Sequence, residues 1–146
     1  MTASVAGWLV VAGAAFAAGG WGSWVWWRVE PSRLFWRLLR GAQALVLAQL
    51  VVVAVVFASG SRPDDDLYYL YAGLPVVVSF FAEQLRILAA QTILDRRGLR
   101  DAREVGRLPE RDQRSVVLEI VRREIGVMAL AALAIGGLAL RAALVF

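Results

Sequence analysis

The sequence predicts an all-α protein: a four-helix transmembrane bundle with a cytoplasmic amphipathic helix before the last span. Three observations carry this expectation. Hydrophobic residues make up 60% of the 146, and the mean hydropathy is +0.62, more apolar surface than a soluble domain of this size can hide. The apolar residues fall into four runs, each of about the 20 residues a membrane-crossing helix needs. The charges sit in short blocks between the runs, and no run shows the polar/apolar alternation of a β-barrel strand. A chain of 146 residues is expected to form one integral membrane domain, 1–146.

The first run, Val5 to Trp27, reads VAGWLVVAGAAFAAGGWGSWVWW. Trp8 and Trp27 near its ends are about 28 Å apart along a helix, close to the hydrocarbon thickness of a bilayer. Trp21, Trp24, Trp26 and Trp27 suit an interfacial aromatic belt. Ala15-Phe16-Ala17 fits a signal-peptidase site, but no Lys or Arg precedes the run and the run continues past it, so cleavage is not expected. The second span, 38–59, is led in by Phe35 and Trp36. The third, 67–90, opens with Tyr68, Tyr69 and Tyr71. The fourth covers 125–146. Pairs such as Ala14/Ala18, Ala15/Gly19, Gly19/Ser23, Ala132/Gly136 and Ala139/Ala143 give the outer two spans small-residue faces that allow close helix approach.

The connections set an orientation. Arg28, Arg33, Arg37 and Arg40 surround the first, against one Glu30. The second holds Arg62 against Asp64, Asp65 and Asp66, a solvated turn without the spacing of a calcium loop. The third, from Asp95 to Ser115, carries seven arginines. The positive-inside rule then places the first and third connections in the cytoplasm, both termini outside, and the protein in the cell inner (plasma) membrane.

Within the cytoplasmic segment, 95–124, Gly98 and Gly106 act as breaks. Pro109 suits a first helical turn, and Glu110 and Asp112 suit a helix N-terminus. Glu110/Arg114 and Glu119/Arg123 are spaced for ion pairs along one helix. Val117, Ile120, Val121 and Ile125 share a face, which predicts an amphipathic helix over 109–123 lying on the inner membrane surface. It reads first as a connector docked on the bundle, and second as a platform for a partner or for lipid.

Residue usage removes most chemistry. The chain has no Cys, no His and no Lys; all 16 basic residues are Arg. Thiolate chemistry, His- or Cys-ligated zinc and haem, Ser–His nucleophiles and Schiff bases are excluded. The glycines of the first span lack the Lys-Ser/Thr of a phosphate loop. No cofactor and no metal site is expected, and the net charge of +4 is assigned to membrane topology, not to nucleic acid.

One run departs from hydrocarbon character: SFFAEQLRILAAQTIL, residues 79 to 94. On a helical wheel Ser79, Glu83, Arg86 and Ala90 fall within about 60° of one another, with Gln91 flanking and Gln84 at the margin. The opposite side carries Leu70, Leu74, Val77, Phe81, Leu85 and Leu88 and should face lipid. One charge at the bilayer centre costs about 2.5–3.5 kcal/mol. Glu83 and Arg86 are spaced to pair, and Gln43 and Gln49 of the second span are the nearest candidates to join them. The first reading is a polar clasp among Glu83, Gln84, Arg86, Gln91, Gln43 and Gln49. The second is a proton or cation site at Glu83. Arg141 should snorkel outward from the last span.

The runs LYYLYAGLPVVVSFFAEQLRILAAQTILDRRGL and LPERDQRSVVLEIVRREIGVMALAAL resemble small four-span integral membrane proteins of high-GC bacteria, whose function is uncharacterised. The resemblance covers about residues 34 to 144, implies membrane location and four spans, and transfers no site. Together these readings predict a non-enzymatic multi-pass membrane protein, an accessory, assembly or self-associating subunit. Its partners would be the bilayer with its anionic inner-leaflet lipids, and a membrane protein or a second copy. A small proton- or cation-coupled transporter or channel is the alternative.

Overall fold

The computed structural model describes residues 2–63 and 65–145, without the side chains of residues 2 and 3. The protein is an all-α bundle: α1 (Thr2–Arg28), α2 (Arg33–Ala58), α3 (Leu67–Arg96), the single turn α4 (Ala102–Val105) and α5 (Glu110–Val145). Four helices, α1, α2, α3 and α5, are long and apolar enough to cross a membrane.

Local chemistry sets the helix limits. The Ser32 side chain caps α2 by accepting from the Phe35 backbone N–H, so the helix begins five residues before the predicted span. α3 ends where Gly98 takes a left-handed φ of +69° and Leu99 N–H returns to the Leu94 carbonyl, a closure that favours glycine. The same closure ends α1 at Val29, with φ of 54° and Glu30 N–H bonded to the Val25 carbonyl. There a β-branched residue holds a backbone normally left to Gly or Asn. α5 starts directly after Pro109, as expected.

Buried positions recur at alternating steps of three and four. In α1 they are Ser4, Trp8, Val11, Ala15, Ala18, Gly22 and Val25; in α2 they are Phe35, Leu39, Ala42, Val46 and Gln49. α5 repeats the pattern at Ile125, Met128, Ala132, Ile135, Ala139 and Ala142. This 3.5-residue period is that of knobs-into-holes bundles. α5 is the central element, packed extensively on α1 and on α3, while α1 also packs on α2. The small-residue faces are used inside the chain. A Cβ added at Gly22 would lie 2.4 Å from the Phe35 ring and 2.8 Å from Ala129 Cβ, and one at Gly19 would lie 2.6 Å from Leu133. The α2–α3 seam is much thinner.

Residues 110–124 differ from the expectation. They are not a separate surface helix but the first turns of α5, which runs uninterrupted for 36 residues. That is about 54 Å, against a hydrocarbon thickness of about 30 Å. One unbroken helix cannot both lie along a membrane and cross it. The first turns of α5 pair instead with the last turns of α3. Ile93 and Val116 are buried, and Arg97 Nη2 donates to Glu119 (2.6 Å) and Ser115 (3.2 Å). Glu119 is therefore taken by Arg97, and the expected Glu110/Arg114 and Glu119/Arg123 pairs do not form among the described residues. Val117, expected on the buried face, is 49% exposed.

Candidate functional site

The charged residues of the third span sit at the edge of the α2–α3 seam. The buried stripe of α3 is Tyr68, Ala72, Pro75, Ala82 and Ile93, which faces the bundle. Glu83 lies about 70° round the helix from that stripe, toward α2. Its two oxygens are taken separately. Arg40 Nη1 donates to Oε1 at 2.5 Å, and Arg86 Nε donates to Oε2 at 3.1 Å. The same Arg40 nitrogen donates to Gln43 Oε1 at 2.6 Å. The Arg86 guanidinium also lies 5.2 Å from the Trp36 ring centroid, a cation–π contact. One carboxylate thus ties α3 to α2 where the two helices otherwise touch little.

Of the six residues in the predicted cluster, the structure brings together Glu83, Arg86 and Gln43. Gln84 is exposed and makes no side-chain hydrogen bond among the described residues. Gln91 donates to Asp95 at 2.9 Å on the exposed side of its own helix. Gln49 is buried elsewhere, donating to the Ser4 carbonyl at 3.0 Å. Gly7 makes room for it, since a Cβ there would lie 2.0 Å from Gln49 Oε1. Arg40 and Trp36 complete the Glu83 cluster. The sequence offered one cue for Arg40: Arg33, Arg37 and Arg40 share a helical face and step from the loop into the apolar run.

A second polar cluster lies toward the other end. The Tyr68 hydroxyl bonds Ser4 Oγ at 2.8 Å and accepts from Trp8 Nε1 at 3.0 Å, all three residues being buried. Trp8 is a core residue here, not an interfacial anchor. With Gln49 it joins α1, α2 and α3. The neighbouring Tyr69 hydroxyl is buried with no hydrogen-bond partner among the described residues. Asp64 lies outside the described residues; Asp65 accepts from Leu67 N–H at 2.9 Å and so opens α3. Arg141 stacks on Tyr71, 5.7 Å from the ring centroid.

Three Arg–Trp contacts mark the arginine-rich end: Arg86 on Trp36, Arg122 on Trp26 at 5.1 Å and Arg28 on Trp24 at 5.9 Å. Glu124 of α5 lies close enough to Arg86 and Glu83 to interact electrostatically with both. Between α2 and α3, a groove of about 280 Å³ opens beside the Glu83 cluster, lined by Gln43, Val46, Leu47, Val76 and Phe80 among others. Among the described residues, no group of three or more acidic side chains is placed to hold a metal ion.

Fold and site define a class: a helical bundle with four membrane-compatible helices, a charged tie across the thin α2–α3 seam, and an arginine-rich arm built from α3 and α5. No protein-family model, no curated protein and no solved structure matches the chain.

Proposed function

We propose that the chain is a multi-pass protein of the cell inner (plasma) membrane that acts without catalysis, as an accessory, assembly or self-associating subunit. The arm of residues 95–124 would lie in the cytoplasm and both termini outside. The observation that carries this reading is the occupancy of Glu83. Each of its oxygens holds a different arginine, on two helices, which is the arrangement of a tie. A carboxylate that relays protons or ions needs a free face. The arm supports the subunit reading, because it presents Arg100, Arg103, Arg107 and Arg111 as exposed side chains.

Two measurements test this. A reporter fused at Phe146 should be active only in its periplasmic or extracellular form; cytoplasmic activity with four spans intact would refute the orientation. Native purification with mass spectrometry should show a stoichiometric membrane partner or a defined oligomer. A monomer purified from its native source without any partner would refute the subunit role.

The transporter reading draws on Glu124, which gives the cluster a second carboxylate near Arg86. It requires proton or monovalent-cation flux in proteoliposomes that Glu83→Gln abolishes at unchanged stability.

A further inference from the structure

The α2–α3 groove combines three features. First, it is the gap left where α2 and α3 touch far less than α1 and α5, α3 and α5, or α1 and α2 do. Its walls are mainly apolar, Val46 and Leu47 from α2 and Val76 and Phe80 from α3, with Ser79 among them and Arg40, Gln43 and the arginine-paired Glu83 at one end. A second apolar groove of about 390 Å³, bounded by Leu50, Val53, Phe57 and Tyr69, continues along the same seam. From Arg40 to Phe57 the two extend over about 25 Å of helix. Second, the charge lies at one end only. Arg33, Arg37 and Arg40 occupy one face of the first turns of α2. Arg40 is paired through Nη1 alone, and Arg33 and Arg37 have no acidic partner among the described residues. Two positive charges without an acidic partner among the described residues therefore lie about one and two helical turns beyond Arg40, on its face of α2 and outside the groove lining. Third, there is unfilled room on the α3 wall. A Cβ added at Gly73, which shares the helical face of Val76 and Phe80, would meet no atom within 4 Å.

We propose that this groove is a binding site for one phospholipid with an anionic headgroup. One acyl chain lies along Leu47, Val76 and Phe80, and the phosphate is held by Arg33, Arg37 and the free edge of Arg40. The proposal rests on the membrane-spanning reading of the chain. Three facts favour a lipid over other occupants. A transmembrane helix is about 10–12 Å across with its side chains and does not enter a groove of about 280 Å³. The groove runs parallel to the spans, as an acyl chain does. The stretch from Arg40 to Leu47 covers about 10 Å, within one leaflet of a core about 30 Å thick, so headgroup and chain meet the charged and apolar parts in the right order. Guanidinium groups suit the phosphate because they donate in a planar fork.

The test is native mass spectrometry of the purified full chain, with phosphatidylglycerol and phosphatidylcholine of identical acyl chains added in equal amount. The expected result is one phosphatidylglycerol retained per chain, at least about tenfold over phosphatidylcholine, the factor that corresponds to about 1.4 kcal/mol. Arg33→Gln with Arg37→Gln should remove the headgroup preference. Gly73→Leu should reduce retention of both lipids by filling the chain groove, with thermal stability unchanged. Equal retention of the two lipids by the native chain would overturn the proposal. Preference lost in the arginine variants but retention untouched by Gly73→Leu would also overturn it, since that is a surface charge effect without a groove. A protein found bound at the groove in place of lipid would do the same. Alkaline carbonate extraction separates the two failures. A chain released by carbonate refutes the membrane reading itself, whereas a chain that stays in the membrane but retains no phosphatidylglycerol refutes only this site.

Discussion

Removing the carboxylate of Glu83 should loosen α2 from α3, and the size of the effect follows from its bonds. Arg40 Nη1 reaches Oε1 at 2.5 Å and Arg86 Nε reaches Oε2 at 3.1 Å. The Arg40 side chain is 52% exposed to the surroundings of the bundle and that of Glu83 23%. Exposed ion pairs in water contribute about 0.2–1 kcal/mol. Interhelical hydrogen bonds within membranes average about 0.6 kcal/mol, with a maximum near 1.7. The Arg40–Glu83 bond is short and charge-assisted, which places it at the upper end. A double-mutant cycle of Arg40→Met with Glu83→Leu should therefore give a coupling of about 1–1.7 kcal/mol. Glu83→Gln keeps an acceptor and loses the charge, so its cost should be smaller than that of Glu83→Leu, which leaves two arginines without their partner. For a chain near 150 residues, about 1.5 kcal/mol corresponds to roughly 3–6 °C in Tm. The assay is thermal unfolding, in one detergent, of the four proteins of the cycle and of Glu83→Gln. An additive cycle, with coupling below about 0.3 kcal/mol, would refute the tie. So would a Glu83→Gln protein as unstable as Glu83→Leu.

Further outcomes follow from the packing. Gly22→Ala should cost about 1–3 kcal/mol through overpacking against Phe35 and Ala129, while Gly13→Ala, whose Cβ meets nothing, should cost nothing; equal melting temperatures for the two would refute the close α1–α2–α5 approach. Tyr68→Phe should cost about 1–3 kcal/mol by stranding Ser4 and Trp8. Tyr69→Phe, which removes a buried hydroxyl with no partner among the described residues, should be neutral or stabilising in the same melt, and a larger loss at Tyr69 would reverse the assignment. Spin labels should be immobile at Val116 and mobile and water-accessible at Val117; the opposite pattern would restore a surface-lying helix.

The spans were legible because hydrophobic length is a property of consecutive residues. A run of apolar residues marks a membrane-compatible helix whatever its neighbours are. Partner choice was less legible, because it depends on how each helix is rotated about its own axis. The wheel placed Glu83 and Arg86 on one face, and the structure keeps them bonded. It did not show that the face turns toward Arg40, which the sequence places among loop arginines. Gln49 and Trp8 were open to a better reading. Both lie on stripes spaced alternately by three and four, with Phe35, Leu39, Ala42 and Val46 in one case and Ser4, Val11 and Ala15 in the other. That spacing marks a bundle interior more specifically than the presence of a polar or aromatic side chain marks a boundary.

The arm shows why amphipathicity alone does not choose a partner. Residues 109–123 carry an apolar face, and an apolar face is stabilised equally by lipid and by another helix. The deciding fact lies elsewhere along the chain, Arg97 and Glu119 being 22 positions apart. α3 does not stop near residue 90 but continues to Arg96, and so offers Ile93 and the Arg97 guanidinium to whatever runs antiparallel beside it. α5 contains no proline and runs unbroken from Glu110 through Glu124 and Ile125, so nothing turns it at the membrane surface. A helix without a break, facing a neighbour of matching length, stays straight. The direction of the first turns of α5 is thus fixed by the length of α3. Shortening α3 at Gln91–Arg96 would remove the reason for the arm to stand away from the bundle, although every residue of its own amphipathic pattern would remain.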